Sequence, residues 1–439
     1  MPENPYDRVP YRTFPRRQTH PDRLAAVGRL FGMRPAPVTE CRVLEIGCGS
    51  GGNLVPMAYG LPRSRFLGID PAAGPVGSAS AMADALGLAN LELRACDLRE
   101  LPDDAGEFDY ILAHGLYSWV PGEVRDALLA VCRARLAPEG IAFISYNTYP
   151  GQYERRMLRE MLLYRGDDVA SGREFLRTIG HQEAAALADS PDDILYHDIL
   201  APVNEPVWFH EFAAHARRHG LRYLGEADPH EMFDAAGRIA DETAEQEMDF
   251  RKLRRFRQTL LCRAEVPLAR EIAPEQMDGF LFSKNPHGRR VAGNDPAVEG
   301  VAQALDDVHP LPAAFAELEL YAGSRAALRE ILMGLLAAGC ADPHVYDFPC
   351  EESVTARPRA SRLARYQAAA GPMVTNLCHM PVQLDPVGCR LVLLLNGTRT
   401  AETLARRLAA LPGAGPLRQI RRALPGSLEW MARMALLEG

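Results

Sequence analysis

Lysine is almost missing from this chain: Lys252 and Lys284 are the only two among 49 basic residues. Arginine supplies nearly all the positive charge, which reads as compositional bias. Acid is in excess, with a net charge of −8. That excludes general nucleic-acid binding as the main role, because phosphate attraction needs a basic surface. The nine cysteines are odd in number and contain no C-x-x-C, which excludes a disulfide framework and a zinc ribbon. They are expected as small buried hydrophobes. His197-Asp198 and His210-Glu211 show no H-x-x-x-H or comparable ligand spacing. They are expected on helix surfaces, and no metal is expected. Long apolar runs are also lacking: Ile331 to Ala338 and Leu391 to Leu395 are too short to cross a bilayer. The Pro-, Arg- and Tyr-rich N-terminus has no apolar segment of the kind a signal peptide needs. With 439 residues, 47% hydrophobic and 24% charged, the chain reads as a soluble cytoplasmic protein of about two to four domains.

What is present begins at Val43-Leu44-Glu45-Ile46-Gly47-Cys48-Gly49-Ser50-Gly51. A short apolar run breaks into glycine at every second position, as where a parallel strand opens into a helix and receives an adenosine-containing ligand. The spacing is G-x-G-x-G, unlike the dinucleotide pattern G-x-G-x-x-G. A carboxylate two residues before the first glycine would repel a pyrophosphate. Glu45 suits a ligand with cationic groups, such as the ammonium and sulfonium of S-adenosylmethionine (AdoMet). Arg65 to Asp70 reads as a second strand ending in an acid about 20 residues on, where ribose hydroxyls are held. Leu91 to Leu98 is a third, placing Asp97 toward an adenine amino group. Phe108 to His114 is a fourth, leading out at the strand ends where such sheets bind ligands.

The ordered set Glu45 to Gly51, Gly68-Ile69-Asp70, Cys96-Asp97-Leu98 and Phe108 to Ile111 resembles class I AdoMet-dependent methyltransferases. A narrower likeness lies in His114 to Pro121 and Ser145 to Gly151, with support from Tyr11 to Phe14, Thr19-His20-Pro21 and Leu30-Phe31-Gly32. These segments are similar to bacterial methyltransferases that carry a methyltransferase regulatory domain, best known as lysine methyltransferases of outer-membrane proteins. The resemblance implies a mostly parallel Rossmann-like α/β sheet with its last strand antiparallel, a helical insert, and winged-helix-like α+β modules beyond it. It implies AdoMet as cofactor and S-adenosylhomocysteine (AdoHcy) as product. The implied cofactor contacts are Tyr11, Thr19, His20, Glu45, Gly47, Cys48, Gly49, Gly51, Asn53, Asp70, Asp97, Leu98 and His114.

The chain divides accordingly. Residues 1–267 are expected to form the AdoMet-binding domain, with a helical insert at about 153–206. Residues 268–365 are expected to be a regulatory, winged-helix-like domain and linker, with the linker at 351–372. Residues 366–439 are expected to be a C-terminal winged-helix-like domain that presents substrate and is dispensable for cofactor binding. Dimerisation is its alternative role. The basic run Arg251 to Arg257 reads as a solvated helix face. His114, Tyr117, Asn147 and Tyr149 are candidate catalytic residues, since all follow strands at the ligand-binding edge. Tyr117 and Trp119 could line a channel for an aliphatic amine through cation–π contact, and Trp119 and Tyr149 are the candidate substrate contacts. Methyl transfer is an in-line displacement governed by positioning, and a lysine acceptor must first lose its proton. The resemblance, with the mass appended to a complete cofactor fold, implies a protein or peptide substrate methylated on lysine. A small-molecule acceptor, or a non-catalytic AdoMet-binding regulator, are the rivals.

Overall fold

Aliphatic and β-branched residues between positions 42 and 147 alternate with helical stretches, and this rhythm builds a parallel sheet. The computed structural model describes residues 9, 11–166, 168–234, 237–288, 295–351, 353–413 and 415–438. Its main sheet has seven strands: β1 (Arg42–Ile46), β2 (Arg65–Asp70), β3 (Leu91–Ala95), β4 (Phe108–Ala113), β5 (Leu136–Asn147), β6 (Leu221–Glu226) and β7 (Phe256–Arg263). Their order is β3-β2-β1-β4-β5-β7-β6. The first five run parallel, and β7 is antiparallel to both β5 and β6. This is the expected class I arrangement. Side chains alternate across it: Val43, Tyr110, Phe143 and Leu260 enter one core, while Leu44, Ile111, Ile144 and Leu261 enter the other. Burial on both faces is why these strands read as nearly continuous apolar runs.

The helices around the sheet are α1 (Pro21–Leu30), α2 (Leu54–Gly60), α3 (Ala73–Leu86) and α4 (Gly122–Arg135). The insert contributes α5 (Tyr153–Arg165), α6 (Val169–Thr178) and α7 (Gln182–Ala188), followed by helical turns through Ile199. The sequence predicts one helix from Gly172 to Ala188. The chain instead breaks at Ile179-Gly180, and the His181 side chain caps the next helix by accepting the Glu183 N–H. Then come α8 (Phe209–Arg218) and α9 (Glu245–Lys252).

The basic run departs from its predicted place. Arg257 is fully buried, with contacts to Glu226 at 2.5 Å and to Glu245 and Asp249 at 2.9 Å. Arg254 joins the same carboxylates, and the Arg257 guanidinium also lies 4.1 Å over the Phe209 ring. Only a set of buried acids brought from β6 and α9 can hold such a charge in the interior. No local pattern reveals that meeting.

Beyond residue 268, β8 (Leu281–Lys284), α10 (Pro296–Val308), β9 (Ala313–Ala314), α11 (Phe315–Ala322), α12 (Arg325–Ala337) and β10 (Ala341–His344) form a helical module with a small sheet ordered β10-β8-β9. Part of the predicted linker is not a linker. β11 (Arg359–Ala360) pairs with the terminal strand β14 (Leu437–Glu438), and α13 (Arg362–Ala370) buries Ala364 and Ala368 in the C-terminal core. That core also takes β12 (Met373–Thr375), β13 (Pro381–Gln383), α14 (Pro386–Leu394), α15 (Ala401–Ala409) and α16 (Leu417–Arg433). Helix α16 contains Pro425, which normally discourages a helix at a cost of about 3 kcal/mol. Burial of Leu424, Leu428 and Met431 offsets it. Among the described residues no helix is long and apolar enough to cross a membrane.

Candidate cofactor and acceptor site

Strand β1 ends at Ile46, and the chain turns through Gly47, Gly49 and Gly51 at φ of +80°, +52° and +75°. Side chains other than glycine's are strained there. A Cβ on Gly47 would meet nothing within 4 Å, so the turn opens onto free space on that side. A Cβ on Gly52 would lie 2.3 Å from the Thr13 carbonyl oxygen. The N-terminal arm, residues 11–20, is thus laid directly against the glycine turn. Thr13 Oγ1 accepts the Gly52 N–H at 2.9 Å and shares a hydrogen bond with Ser50 at 2.7 Å.

Glu45 is buried beneath this turn. Its Oε1 accepts from Asn53 Nδ2 at 2.7 Å, while its Oε2 finds no hydrogen-bond partner among the described residues. Burial pushes the carboxyl up to about 8, with Asp70 contributing and Asn53 opposing. An orphaned buried carboxylate oxygen calls for a cationic donor, so the residues present fit the ammonium of AdoMet. Asn53 is the hub of the cradle. Its Oδ1 accepts from the Arg16 backbone at 2.9 Å and from His379 Nε2 at 2.9 Å, and its Nδ2 also donates to Thr19 Oγ1 at 3.0 Å. His379 reaches in from the turn between β12 and β13, held at φ +56°. His20 caps α1 through Nδ1, its ring 5.3 Å from that of His379, and burial lowers it to about 4.

Asp70 closes β2 and accepts the N–H groups of Gly49 at 2.9 Å and Ala72 at 2.8 Å. Asp97 caps the short helix that follows β3, and Arg99 grips both its oxygens at 2.9 and 2.7 Å. That pairing with Arg99 holds the Asp97 carboxyl below its usual range. Leu98 is buried beside it, and Cys48 is buried in the turn, its thiol pushed up by desolvation.

On the acceptor side, His114 follows β4 and shares a 3.0 Å hydrogen bond with Ser145 Oγ. Burial, reinforced by Arg16, lowers it to about 3. It is a neutral hydrogen-bonding imidazole, too weak a base to unload a lysine ammonium. Tyr117 is not at the mouth. It packs in the core against Phe212 and Tyr146, its hydroxyl 2.8 Å from His215 Nδ1, and burial pushes it up to about 12. The ring is drawn inward because the residues after β4 must cover the sheet. Trp119 is half-buried, and its Nε1 meets no acceptor among the described residues.

Asn147 ends β5 and donates to Asn204 at 3.1 Å, while Gln152 donates to its Oδ1 at 3.0 Å. Asn204 in turn donates to the Asp198 carbonyl, and the Tyr11 hydroxyl approaches the Asp198 carboxylate at 3.4 Å. Asp198 is pushed up to about 6 by burial, opposed by Tyr11. Its neighbour His197 is buried and bonds the Val9 carbonyl at 2.6 Å, so this pair leaves the helix surface predicted for it. His210 keeps it. Tyr149 is buried against Tyr153 and Trp208, with ring centroids 4.5 and 5.3 Å apart, and its hydroxyl accepts from Arg156. Sequence reasoning missed Thr13, Asp198, Asn204 and His379 as members of this site. None carries a local signal, because each arrives from a different part of the chain.

A methyltransferase domain model matches residues 43–140, a predicted methyltransferase regulatory domain 191–263, and the PKMT C-terminal winged helix domain 356–422. The regulatory match supplies β6 and β7 and lies before the 268–365 stretch where the sequence predicts that domain. Among curated relatives, uncharacterized protein RP789 of Rickettsia prowazekii is 37% identical over 308 residues, 63% of this chain and 56% of that protein. The chain thus spans little more than half of that relative's length. Uncharacterized protein RP028 of the same organism is 33% identical over 240 residues, 50% of this chain and 96% of that protein. Among solved structures, PKMT2 from Rickettsia typhi aligns over 98% of this chain and 100% of its own, at 26% identity and a TM-score of 0.85. Its complex with AdoHcy aligns over the same shares, at 24% identity and a TM-score of 0.83. The chain belongs to the class I AdoMet-dependent methyltransferases that combine a methyltransferase domain, a methyltransferase regulatory domain and a PKMT C-terminal winged-helix domain.

Proposed function

We propose that this protein transfers the AdoMet methyl group to lysine side chains of a polypeptide. The observation that carries the cofactor half is the buried Glu45 carboxylate, with one oxygen bonded to Asn53 and the other unmatched. The acceptor half is supported by likeness, over nearly the whole chain, to a structure named PKMT2. When bound, the cofactor supplies a sulfonium methyl that is already electrophilic. The protein's own task is then to orient and desolvate. Glu45 receives the ammonium, Asp70 the ribose hydroxyls, and Asp97 with Leu98 the adenine side. Gly47, Gly49 and Gly51 let the main chain approach, with Cys48 filling the core beneath. Tyr11, Thr19 and His20 hold the arm over the cradle.

The acceptor amine enters past Asn147, Asn204 and Asp198. The Asp198 carboxylate attracts the incoming ammonium, and Tyr149 with Trp119 flanks its aliphatic stem. His114 donates or accepts a hydrogen bond as a neutral ring and does not serve as the base. The test is to incubate a cell lysate with methyl-labelled AdoMet and the purified protein, then identify what is labelled. Methyl-lysine in polypeptides is expected. Label confined to a small metabolite, or no transfer at all, would overturn the reading. Asp198→Asn is expected to raise KM for the polypeptide about tenfold, the loss of one charge-assisted contact, while AdoHcy affinity holds.

A further inference from the structure

Three ligand-type side chains converge on the face of the sheet covered by α4 and α8, away from the cofactor cradle. His215 lies in the last turn of α8 and His219 caps that helix, four residues on. This spacing puts both rings on one helix face. Asp126 comes from α4. Asp126 Oδ1 lies 2.6 Å from His215 Nε2 and 3.3 Å from His219 Nε2, and the three atoms all fall within 4.8 Å of one another. Ligands ~2.0–2.1 Å from a tetrahedral ion are spaced about 3.3 Å apart. Small side-chain adjustments therefore complete the geometry. His215 is buried, His219 half-buried and Asp126 exposed, which leaves a solvent-facing position for water.

We propose that Asp126, His215 and His219 bind a divalent first-row transition ion of the zinc class, which clamps α4 to α8. Two imidazoles and one carboxylate suit that class rather than calcium or magnesium, which take oxygen sets. A second observation points the same way. The other ring nitrogen of His215 bonds the Tyr117 hydroxyl at 2.8 Å, the outer contact that fixes the tautomer and orientation of a metal-binding histidine. Tyr117 belongs to the turn after β4 that also carries Ser118 and Trp119. Ser118 Oγ accepts the Asn147 N–H at 2.9 Å. An ion at this site therefore steadies the loop that borders the acceptor side. The H-x-x-x-H spacing of His215 and His219 is legible in the sequence; the carboxylate from another helix is not.

Full-length protein stripped with a chelator and titrated with Co²⁺, with Zn²⁺ as competitor, tests the proposal. One equivalent should bind with visible d–d absorption that Zn²⁺ abolishes, and Zn²⁺ should raise the melting temperature. Tyr117→Phe should weaken Co²⁺ binding about tenfold, and His219→Ala or Asp126→Asn more than that. His210→Ala should leave it unchanged. His219 and Asp126 lie at the surface, so circular dichroism should show both variants folded. No Co²⁺ uptake at equimolar metal, or uptake that survives both variants, would overturn the proposal.

Discussion

The two modules that follow the catalytic sheet are fastened to it by opposite physics. The first, which contains β8 to β10, is locked through α1 by buried charge. Asp342 pairs with Arg23 at 2.8 Å and with Arg17. Asp22 pairs with His344 at 2.6 Å and accepts the backbone N–H groups of Val345 and Tyr346. Burial opposes ionisation of Asp22, yet His344 and these N–H groups hold its carboxyl below the usual range. The second module, β11 to β14, is held by apolar packing of Leu363 with Val55 and Leu86 and by neutral or peripheral polar contacts: His379 on Asn53, Tyr59 with Glu438, and Arg362 on the Ala85 carbonyl at 3.1 Å. The first contact set is costly to break, because that leaves charge buried without a partner. The second is mainly neutral, and its His379 shares Asn53 with the buried Glu45 carboxyl.

Breaking the strong seam should show the largest effect. Asp342→Ala leaves the buried Arg23 and the half-buried Arg17 guanidinium groups short of a partner and should destabilise the fold by about 3–5 kcal/mol, measured by urea unfolding. A loss below about 1 kcal/mol would mean that water already screens this seam.

Acid should weaken both seams together. His20, lowered to about 4, and His344, lowered by burial, stay neutral in the fold but titrate near 6.5 when unfolded. The unfolded chain then binds more protons below that pH, so stability is full above about 6.5 and falls as pH drops toward about 4. For His20 the slope is about 1.4 kcal/mol per pH unit, and His344 adds to it in the same direction. A flat unfolding profile across that window would contradict their neutral burial.

Glu45 offers a sharper test of the cradle. Its carboxyl sits near 8 without a cationic partner, so AdoHcy binding at pH 7 should release about one proton as the group ionises. Calorimetry in buffers of different ionisation enthalpy measures this. Glu45→Gln should bind more weakly and release none; proton release unchanged in the variant would remove Glu45 from the ammonium site.

The smallest effect isolates the neutral seam. His379→Ala removes one neutral hydrogen bond, worth about 1 kcal/mol, and should lower AdoHcy affinity several-fold with little change in unfolding. That outcome would revise the expectation that residues 366–439 are dispensable for cofactor binding. Equal affinity in wild type and variant would restore that expectation.

Much of this was legible beforehand where neighbours in sequence are neighbours in space. The glycine turn, the acids ending β1 and β2, and strands such as Arg65–Asp70 depend on period and local backbone demands. Helix α16 was hidden by Pro425, and the strand and helix of 359–370 by a linker-like composition. Their reason to form lies in a core assembled from distant segments. Tyr117 shows the same limit in the site: its position after β4 is readable, but not the inward turn toward His215.

The sequence by itself determined the sheet, the turn and the cofactor, because each rests on the order and spacing of successive strand–turn–helix units. Only the tertiary structure decided the fate of the charged and polar side chains. It buried Arg257 among acids, brought His379 to Asn53, and gathered Asp126, His215 and His219. Electrostatic partners meet through space, and the interior tolerates a charge only where the fold delivers its counterpart.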